Sequence, residues 1–304
     1  MYNFFFEYLK SNDPDKVVGR KGVKARMFIY PFMRVLLKAA NPYKYHMVKR
    51  AKIPEGRAII YAPTHGFKDD MLNSYIIIND PVYALFGSLL QFFNHHEGIL
   101  AWLFGVILVD RTDKESKRTA LLKMQRAMSF GINGLIFPEG TWNLTDSLLV
   151  LKLFNGIYKL AVSTSALITP VITHTDGNNC YVVLDEPFDI TAYECDEGLQ
   201  VLRDKMATVK FELMEKFSSY SRKELETNGV SLKAAWENYK EELINKVKYY
   251  PPMDHDVYQF KDKTVVDYSE AFAHLKRVKL TNNNAFLLRS IRTENFTELL
   301  IYDN

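Results

Sequence analysis

The chain has 304 residues, 47% of them apolar and 25% charged, so its composition excludes an intrinsically disordered protein and predicts one main core. Its formal net charge is only +3, yet eleven Lys or Arg residues and no Asp or Glu lie between Lys16 and Lys52. The rest of the chain has 28 basic against 36 acidic residues. The basic charge is therefore a local feature of the N-terminal region.

Within this basic region, residues 27–40 form an apolar stretch interrupted by Arg34 and Lys38. The stretch is shorter than the ~20 apolar residues that a spanning helix needs. It predicts an amphipathic helix that either lies on an anionic bilayer or packs on the core with a solvated basic rim. Cations mixed with this much aliphatic surface favour a membrane over nucleic acid. Residues 1–7 lack the features of a secretory signal, so we expect a cytoplasmic protein, peripheral on the inner face of the membrane.

Between residues 57 and 187, short apolar runs alternate with helical patterns. This alternation is typical of an α/β domain with a central, mostly parallel sheet flanked by helices. The predicted strands lie at residues 58–61, 82–86, 106–109, 135–137, 167–173 and 181–184. The predicted helices lie at residues 69–78, 88–103, 114–130 and 153–163. Motifs that directly follow strands are expected where α/β proteins build their sites.

Residues 196–249 have the charge and apolar spacing of helices, and Pro251-Pro252 ends that pattern. Beyond it, short apolar runs are compatible with either strands or helix faces. We therefore expect an N-terminal helical segment at residues 1–55 that is a candidate for membrane docking, a main domain at residues 56–220, and a helical and mixed C-terminal extension at residues 221–304.

The cysteine and histidine patterns favour neither a disulfide framework nor a metal site. Cys180 and Cys195 form no C-x-x-C pattern, so reduced thiols are expected. The run His95-His96-Glu97 lacks the second histidine of a zinc-binding H-E-x-x-H motif, because Leu100 stands in its place. No metal and no cofactor are predicted.

His65 and Asp70 form an H-x4-D pair, a candidate base with a carboxylate to orient it. Acyl transfer from a thioester to an alcohol needs a base, and histidine is mostly neutral at pH 7. A carboxylate on the other ring nitrogen fixes the tautomer and stabilises the imidazolium. On a regular helix Asp69 is the better-placed partner, so Asp70 serves only if His65 and Gly66 lie in the turn before the helix. A structural histidine is the alternative.

Three further motifs follow this pair in order. They are Gly105 to Arg111 (a G-x5-R block), Phe137-Pro138-Glu139-Gly140-Thr141, and an apolar run ending in proline at residues 166–170. With these blocks the chain resembles the glycerophospholipid acyltransferase family, best known from the 1-acyl-glycerol-3-phosphate acyltransferases. The resemblance covers roughly residues 40–220.

The resemblance implies that His65 is the general base and Asp70 its orienting carboxylate. It also implies transfer of a fatty acyl group from acyl-CoA or acyl carrier protein to the free hydroxyl of a lysophospholipid, without an acyl-enzyme. The acceptor expected first is 1-acyl-glycerol-3-phosphate. A transferase acting on another lipid or on a non-phosphate hydroxyl, and a catalytically silent lipid-binding protein, are the alternatives.

The resemblance further implies that Arg111 and the loop of Glu139, Gly140 and Thr141 bind the phosphate-bearing acceptor. The guanidinium of Arg111 suits phosphate, although an ion pair with a neighbouring aspartate is an alternative. A carboxylate repels phosphate, so Glu139 is expected either to bind a glycerol hydroxyl or to hold Arg111, and we favour the second role.

One departure from the family concerns the residues after Thr141, where Trp142-Asn143 replace the usual Arg-Ser. The change removes a cation and adds an aromatic face, so it leaves the acceptor open. Lys68 is a candidate replacement for the charge, or simply a solvated side chain.

The acyl chain needs an apolar slot near the base, and residues 82–109 are rich in suitable side chains. The candidates are Phe92, Phe93, Trp102 and Phe104. An ordinary buried core is the alternative explanation. Other enzyme classes fit poorly, because the chain contains neither a G-x-S-x-G elbow nor a glycine-rich nucleotide loop.

Overall fold

The computed structural model describes residues 11–66, 70–87, 102–145, 148–219, 221–229, 231–246 and 281. The chain divides into two compact units, Met1–Tyr258 and Gln259–Asn304. Nearly all of the second unit lies outside the described residues.

The described strands form one seven-stranded sheet in the order β1-β7-β6-β2-β5-β3-β4. The five strands from β6 to β4 in this order run parallel to one another, whereas β1 and β7 run in the opposite direction. The strands are β1 (Lys44–Arg50), β2 (Ile59–Pro63), β3 (Val82–Phe86), β4 (Val106–Leu108), β5 (Asn133–Leu135), β6 (Leu167–Asp176) and β7 (Asn179–Leu184). The α/β fold with a mostly parallel sheet is as predicted.

Helices cover both faces of the sheet, and two clusters of buried side chains fill the layers between them. The helices are α1 (Pro14–Val17), α2 (Arg20–Ala40), α3 (Asp70–Ile78), α4 (Lys114–Ser129), α5 (Gly156–Thr164), α6 (Cys195–Phe217), α7 (Arg222–Thr227) and α8 (Leu232–Lys246). Side chains of α4, α5 and α6 pack on one face, and side chains of α2 and α3 pack on the other. All five residues of β2 are buried, as expected of a central parallel strand.

The predicted elements agree with the structure where buried apolar runs define them, but one part of the N-terminal segment was assigned wrongly. Residues 44–50 were included in a helical segment ending at residue 55, whereas they form the edge strand β1. Lys44, Lys49 and Arg50 of this strand are exposed, so its sequence shows no apolar alternation that would predict a strand. The predicted helix at residues 88–103 lies mostly outside the described residues.

Helix α2 contains the amphipathic segment predicted from the sequence and leaves part of its apolar surface uncovered. Phe28 is 74% exposed, and Phe32, Val35 and Leu36 are each about two-thirds exposed, at 65%, 64% and 64%. The opposite side of the helix is anchored in the core by the buried Tyr30. Within the described residues, no helix combines the length and the apolarity that crossing a bilayer requires.

The carboxyl end of α3 is capped by side chains from α2 and β1. Tyr30 Oη donates to the Tyr75 carbonyl at 2.6 Å, and Arg34 Nε donates to the Ile76 carbonyl at 2.8 Å. The guanidinium of Arg50 bonds the next two carbonyls, at 2.7 and 3.5 Å. The last four carbonyls of a helix have no partner within it, and cations are favoured at that end. All four carbonyls of α3 thus find donors outside it.

Candidate active site

His65 and Asp70 meet at the carboxyl-terminal edge of the parallel strands. His65 follows β2, and Asp70 is the first residue of α3. His65 Nδ1 lies 2.6 Å from Asp70 Oδ2, and the two side chains are only 14% and 10% exposed. His65 therefore lies in the turn before the helix, as the pairing with Asp70 requires. Asp69 lies outside the described residues.

The Asp70 contact determines which ring nitrogen of His65 is available. An ionised carboxylate only accepts hydrogen bonds, so the network assigns the proton of neutral His65 to Nδ1. Nε2 then has a lone pair, and no group among the described residues hydrogen-bonds to it. The Phe137 ring packs on the imidazole, with 4.6 Å between the ring centroids. The arrangement is that of a base with one nitrogen open to an acceptor.

The backbone of His65 is held as firmly as its side chain. Its N–H donates to Glu139 Oε1 at 2.6 Å, and its carbonyl accepts from the Asn143 N–H at 3.1 Å. The other oxygen of Glu139 accepts from the Leu151 N–H at 2.8 Å. Glu139 thus links the turn at His65 to the backbone at Leu151.

These contacts correct the role predicted for Glu139. It was expected to bind the acceptor or to hold Arg111, whereas its side chain is 1% exposed and both carboxylate oxygens accept from backbone N–H groups. Burial raises the pKa of Glu139 to about 7, although the two backbone hydrogen bonds and the nearby Lys210 ammonium favour the charged form. The side chain positions the loop instead of meeting the acceptor.

Gly140 closes the turn that contains Glu139, because its N–H donates to the Phe137 carbonyl at 3.1 Å. Gly140 has a φ of +70°, and a Cβ there would lie 2.5 Å from the Phe154 ring, so only glycine fits this position. Thr141 is half-buried directly after the turn. The motif at residues 137–141 therefore builds a tight turn beside His65.

Arg111 reaches toward this edge from the end of the outermost strand, β4. A Cβ on Gly87, the residue after β3, would lie 2.1 Å from Arg111 Nε, so the guanidinium lies directly on the Gly87 backbone. Only β5 separates β3 from β2, which puts the ends of these two strands about 10 Å apart. The side chain of Arg111 thus lies over the end of the neighbouring strand β3.

The remaining predicted site residues either lie outside the described residues or lie away from His65. Lys68, Phe92 and Phe93 lie outside the described residues, so their predicted roles stay predictions. Trp102 and Phe104 precede β4 and therefore lie at the amino-terminal edge of the parallel strands, opposite His65. Phe104 is buried between the Tyr30 and Tyr75 rings, and Arg26 lies over the Trp102 ring. These two aromatic residues belong to the core packing near α2 and not to a slot beside His65.

Three residues at the site were not predicted from the sequence. Asn143 binds the His65 carbonyl, and Thr64 binds the end of β6 through its backbone and its hydroxyl. Lys210 on α6 donates to the Thr173 carbonyl at the same end of β6. Thr64 and Asn143 adjoin recognised motifs, whereas no sequence feature singles out Lys210. Among the described residues, no group of three or more His, Cys, Asp or Glu side chains is placed to hold a metal ion.

Comparisons with known proteins agree with this geometry. A family model described as Acyltransferase matches residues 44–174, from β1 to β6. A search of curated proteins gives no match. Among solved structures, the fold is similar to that of the 1-acyl-sn-glycerophosphate (LPA) acyltransferase PlsC from Thermotoga maritima, with a TM-score of 0.51. The two chains are 17% identical, and the similarity covers 72% of this chain and 90% of that one.

The family match spans the strands that carry the His65, Arg111 and Glu139 blocks, and the fold is one that a solved acyltransferase shares. On these grounds we identify residues 44–174 as an acyltransferase domain, with a fold similar to that of a solved glycerophosphate acyltransferase.

Proposed function

We propose that this acyltransferase moves a fatty acyl group from an acyl thioester to the free hydroxyl of a lysophospholipid, a step of phospholipid biosynthesis. The observation that carries the proposal is the His65–Asp70 pair, in which Nδ1 is bonded to a carboxylate and Nε2 has no hydrogen-bond partner within the described part of the chain. The similar fold of a protein described as an LPA acyltransferase favours 1-acyl-glycerol-3-phosphate as the first acceptor to test.

In this mechanism the hydroxyl of the acceptor attacks the thioester carbonyl while His65 Nε2 takes the hydroxyl proton. Asp70 accepts the hydrogen bond from Nδ1–H and stabilises the imidazolium that forms. The attack forms the new C–O bond of a tetrahedral intermediate. Collapse of this intermediate restores the carbonyl and breaks the C–S bond, and the proton passes from Nε2 to the departing thiolate. The acyl group goes directly to the acceptor, so no acyl-enzyme forms. Acyl-CoA and acyl carrier protein supply the same thioester chemistry.

Arg111 is the proposed partner of the acceptor phosphate. A guanidinium offers two parallel N–H donors, which match the geometry of a phosphate. The side chain already lies over Gly87, directly after β3. A phosphate bound there would orient the glycerol hydroxyl toward His65.

The experiment is mass spectrometry of the products formed from a panel of lysophospholipid and glycerol phosphate acceptors, with release of free thiol measured in parallel. The wild-type protein is expected to form a diacyl product, and His65→Ala is expected to lose about 10²–10⁴-fold in rate. No product from any of these acceptors, or a wild-type rate in the His65→Ala protein, would contradict the proposal. Acceptors without phosphate belong in the same panel, because Trp142 stands where the family usually has arginine.

We also propose that α2 docks the enzyme on an anionic membrane, which holds the lipid substrate and takes up the lipid product. The exposed apolar side chains at positions 28, 32, 35 and 36 recur at the spacing of one helix face. Exposed cations accompany them on the same helix and just before it: Lys16, Arg20, Lys21, Lys24 and Lys38. An apolar face with basic neighbours suits the interface of an anionic leaflet, and the site of action would be the inner face of the membrane.

A further inference from the structure

Lys210 lies outside the stretch matched by the family model and is half-buried near the site described above. It belongs to α6, the long helix that packs along β6. Its ammonium donates to the carbonyl of Thr173 near the end of β6. An ammonium removed from water is costly unless a partner compensates it. The position of Lys210 therefore needs an explanation beyond packing, since a methionine would fill a similar volume without that cost.

Thr173 connects Lys210 to the residue before His65. The N–H of Thr173 donates to Thr64 Oγ1 at 3.3 Å, and the N–H of Thr64 donates to the Val171 carbonyl at 3.0 Å. Thr64 is buried, and its two hydrogen bonds extend the pairing of β2 with β6 up to His65. Lys210 thus holds one side of the backbone on which the base is supported.

Glu139 connects Lys210 to His65 by a second route. Its carboxylate accepts from the His65 N–H, and the Lys210 ammonium lowers the pKa of this carboxyl against the effect of burial. In return the Glu139 charge raises the pKa of Lys210, which burial lowers to about 8. The other titratable groups that interact with Lys210 within the described residues are Cys180 on β7 and His174 on β6. Of these, only Glu139 supplies a negative charge at neutral pH, because burial raises the pKa of Cys180 to about 12.

We propose that Lys210 is a positioning residue for acyl transfer: its ammonium holds the Thr173 carbonyl, and Thr173 in turn supports Thr64 and the backbone of His65. The proposal rests on the function proposed above only in naming the reaction. The charge of the same ammonium also favours the ionised form of Glu139, which accepts from the His65 N–H. Lys210 thus acts on the base through the backbone.

The test compares Lys210→Met, Lys210→Arg and wild type, with Lys205→Met as a matched control on an exposed lysine of the same helix. Selective ¹⁵N-histidine labelling follows the His65 backbone amide during a pH titration, and a His65→Gln variant assigns its resonance among seven histidines. In Lys210→Met the midpoint of this titration should rise, because Glu139 loses a cation that favours its ionised form. Lys210→Arg retains a charge that does not titrate in this range, so its midpoint should stay near that of wild type.

Kinetics on the same proteins give the second readout. Lys210→Met should lower kcat by about tenfold or more and move the acidic limb of the pH profile upward, with KM values changed less than kcat. Lys205→Met should behave as wild type in both readouts. An unchanged amide titration in Lys210→Met overturns the proposal. So does a loss of kcat that is fully accounted for by a smaller fraction of folded protein, as measured by urea unfolding. If wild type turns over no lysophospholipid, the proposed function fails while the amide titration still decides the role of Lys210.

Discussion

A histidine that acts as a base must keep one ring nitrogen free while the rest of the residue is held in place. His65 meets this condition through three attachments: Nδ1 to Asp70, the N–H to Glu139, and the carbonyl to Asn143. These partners come from two segments of the chain, the start of α3 and the loop at residues 139–143. The direction of Nε2 is thus set by backbone and side-chain contacts together, which is what catalysis by a positioned base requires.

We expect Asp70→Asn to lower kcat by about 10²–10⁴-fold. The amide can donate to Nδ1, which favours the tautomer with its proton on Nε2, so the base would be lost although the shape is kept. Steady-state rates of thiol release measure the effect. Asp69→Asn is the matched control, because it removes a neighbouring carboxylate but leaves the observed contact with Asp70 intact. Equal losses in both variants would show that charge near His65 matters and not the specific contact.

Glu139 makes a prediction about pH and stability. Its pKa in the folded protein, about 7, lies above its ordinary value of 4.5, so the folded state binds this proton more tightly. The stabilisation is complete below pH 4.5 and is lost as the pH rises to about 7, by on the order of 3 kcal/mol. We expect Glu139→Gln to remove this component. Urea unfolding of wild type and Glu139→Gln at about pH 5 and about pH 7.5 measures how the free energy of unfolding of each protein changes with pH. Between these two pH values it should fall more in wild type than in the variant.

The same Glu139→Gln variant tests the link between the two loops. A glutamine offers one acceptor oxygen and one donor group, so it cannot accept from both the His65 and Leu151 N–H groups. Activity should therefore fall most at pH values at which Glu139 is ionised, and less where it is largely protonated, because a protonated carboxyl also has one donor and one acceptor. Activity equal to wild type in this variant would contradict the positioning role.

At the scale of elements, the ends of β3 and β4 act together, because the Arg111 side chain lies on Gly87. We expect Gly87→Ala to displace the guanidinium, since the new Cβ would lie 2.1 Å from Nε. If Arg111 binds the acceptor phosphate, KM for the acceptor should rise about tenfold or more while KM for the thioester changes little. Gly156→Ala is a suitable control, because its Cβ would meet only Leu121, at 3.9 Å. An unchanged acceptor KM in Gly87→Ala would argue against phosphate binding by Arg111.

How well the sequence predicted each element depended on whether its contacts are local. The His65–Asp70 contact spans five residues, so knowledge of helix geometry and one turn was enough to anticipate it. The partners of Glu139 could not be foreseen in this way, because backbone N–H groups leave no trace in the side-chain pattern. Phe104 was predicted wrongly because the sequence does not show at which edge of the sheet an apolar residue beside β4 lies. Residues before β4 pack in the core at the edge opposite His65, and residues after β4 lie at the edge that carries the site. Lys210 acts across 37 residues through a carbonyl, and no motif reports such a contact.

At the scale of the whole molecule, α2 combines a buried side with an apolar surface that faces away from the core. We expect Phe28→Ser with Phe32→Ser to weaken binding to anionic vesicles, because these rings are 74% and 65% exposed and contact each other. Phe211→Ser, which changes another exposed phenylalanine on α6, is the matched control. Vesicle sedimentation at low and high salt measures the effect, and binding should fall as salt screens the cations. Equal binding to neutral vesicles at both salt concentrations would contradict an electrostatic contribution.

The four capped carbonyls at the end of α3 join this surface to the chemistry. One end of α3 begins with Asp70, and the other receives Tyr30 and Arg34 from α2. These hydrogen bonds fix α2 and α3 to each other. The distance of the His65 imidazole from a membrane surface bound by α2 is therefore constant. In a leaflet that binds α2, each lipid would hold its hydroxyl at a particular depth relative to the base. The enzyme would then select lipids whose hydroxyl lies at the depth of His65.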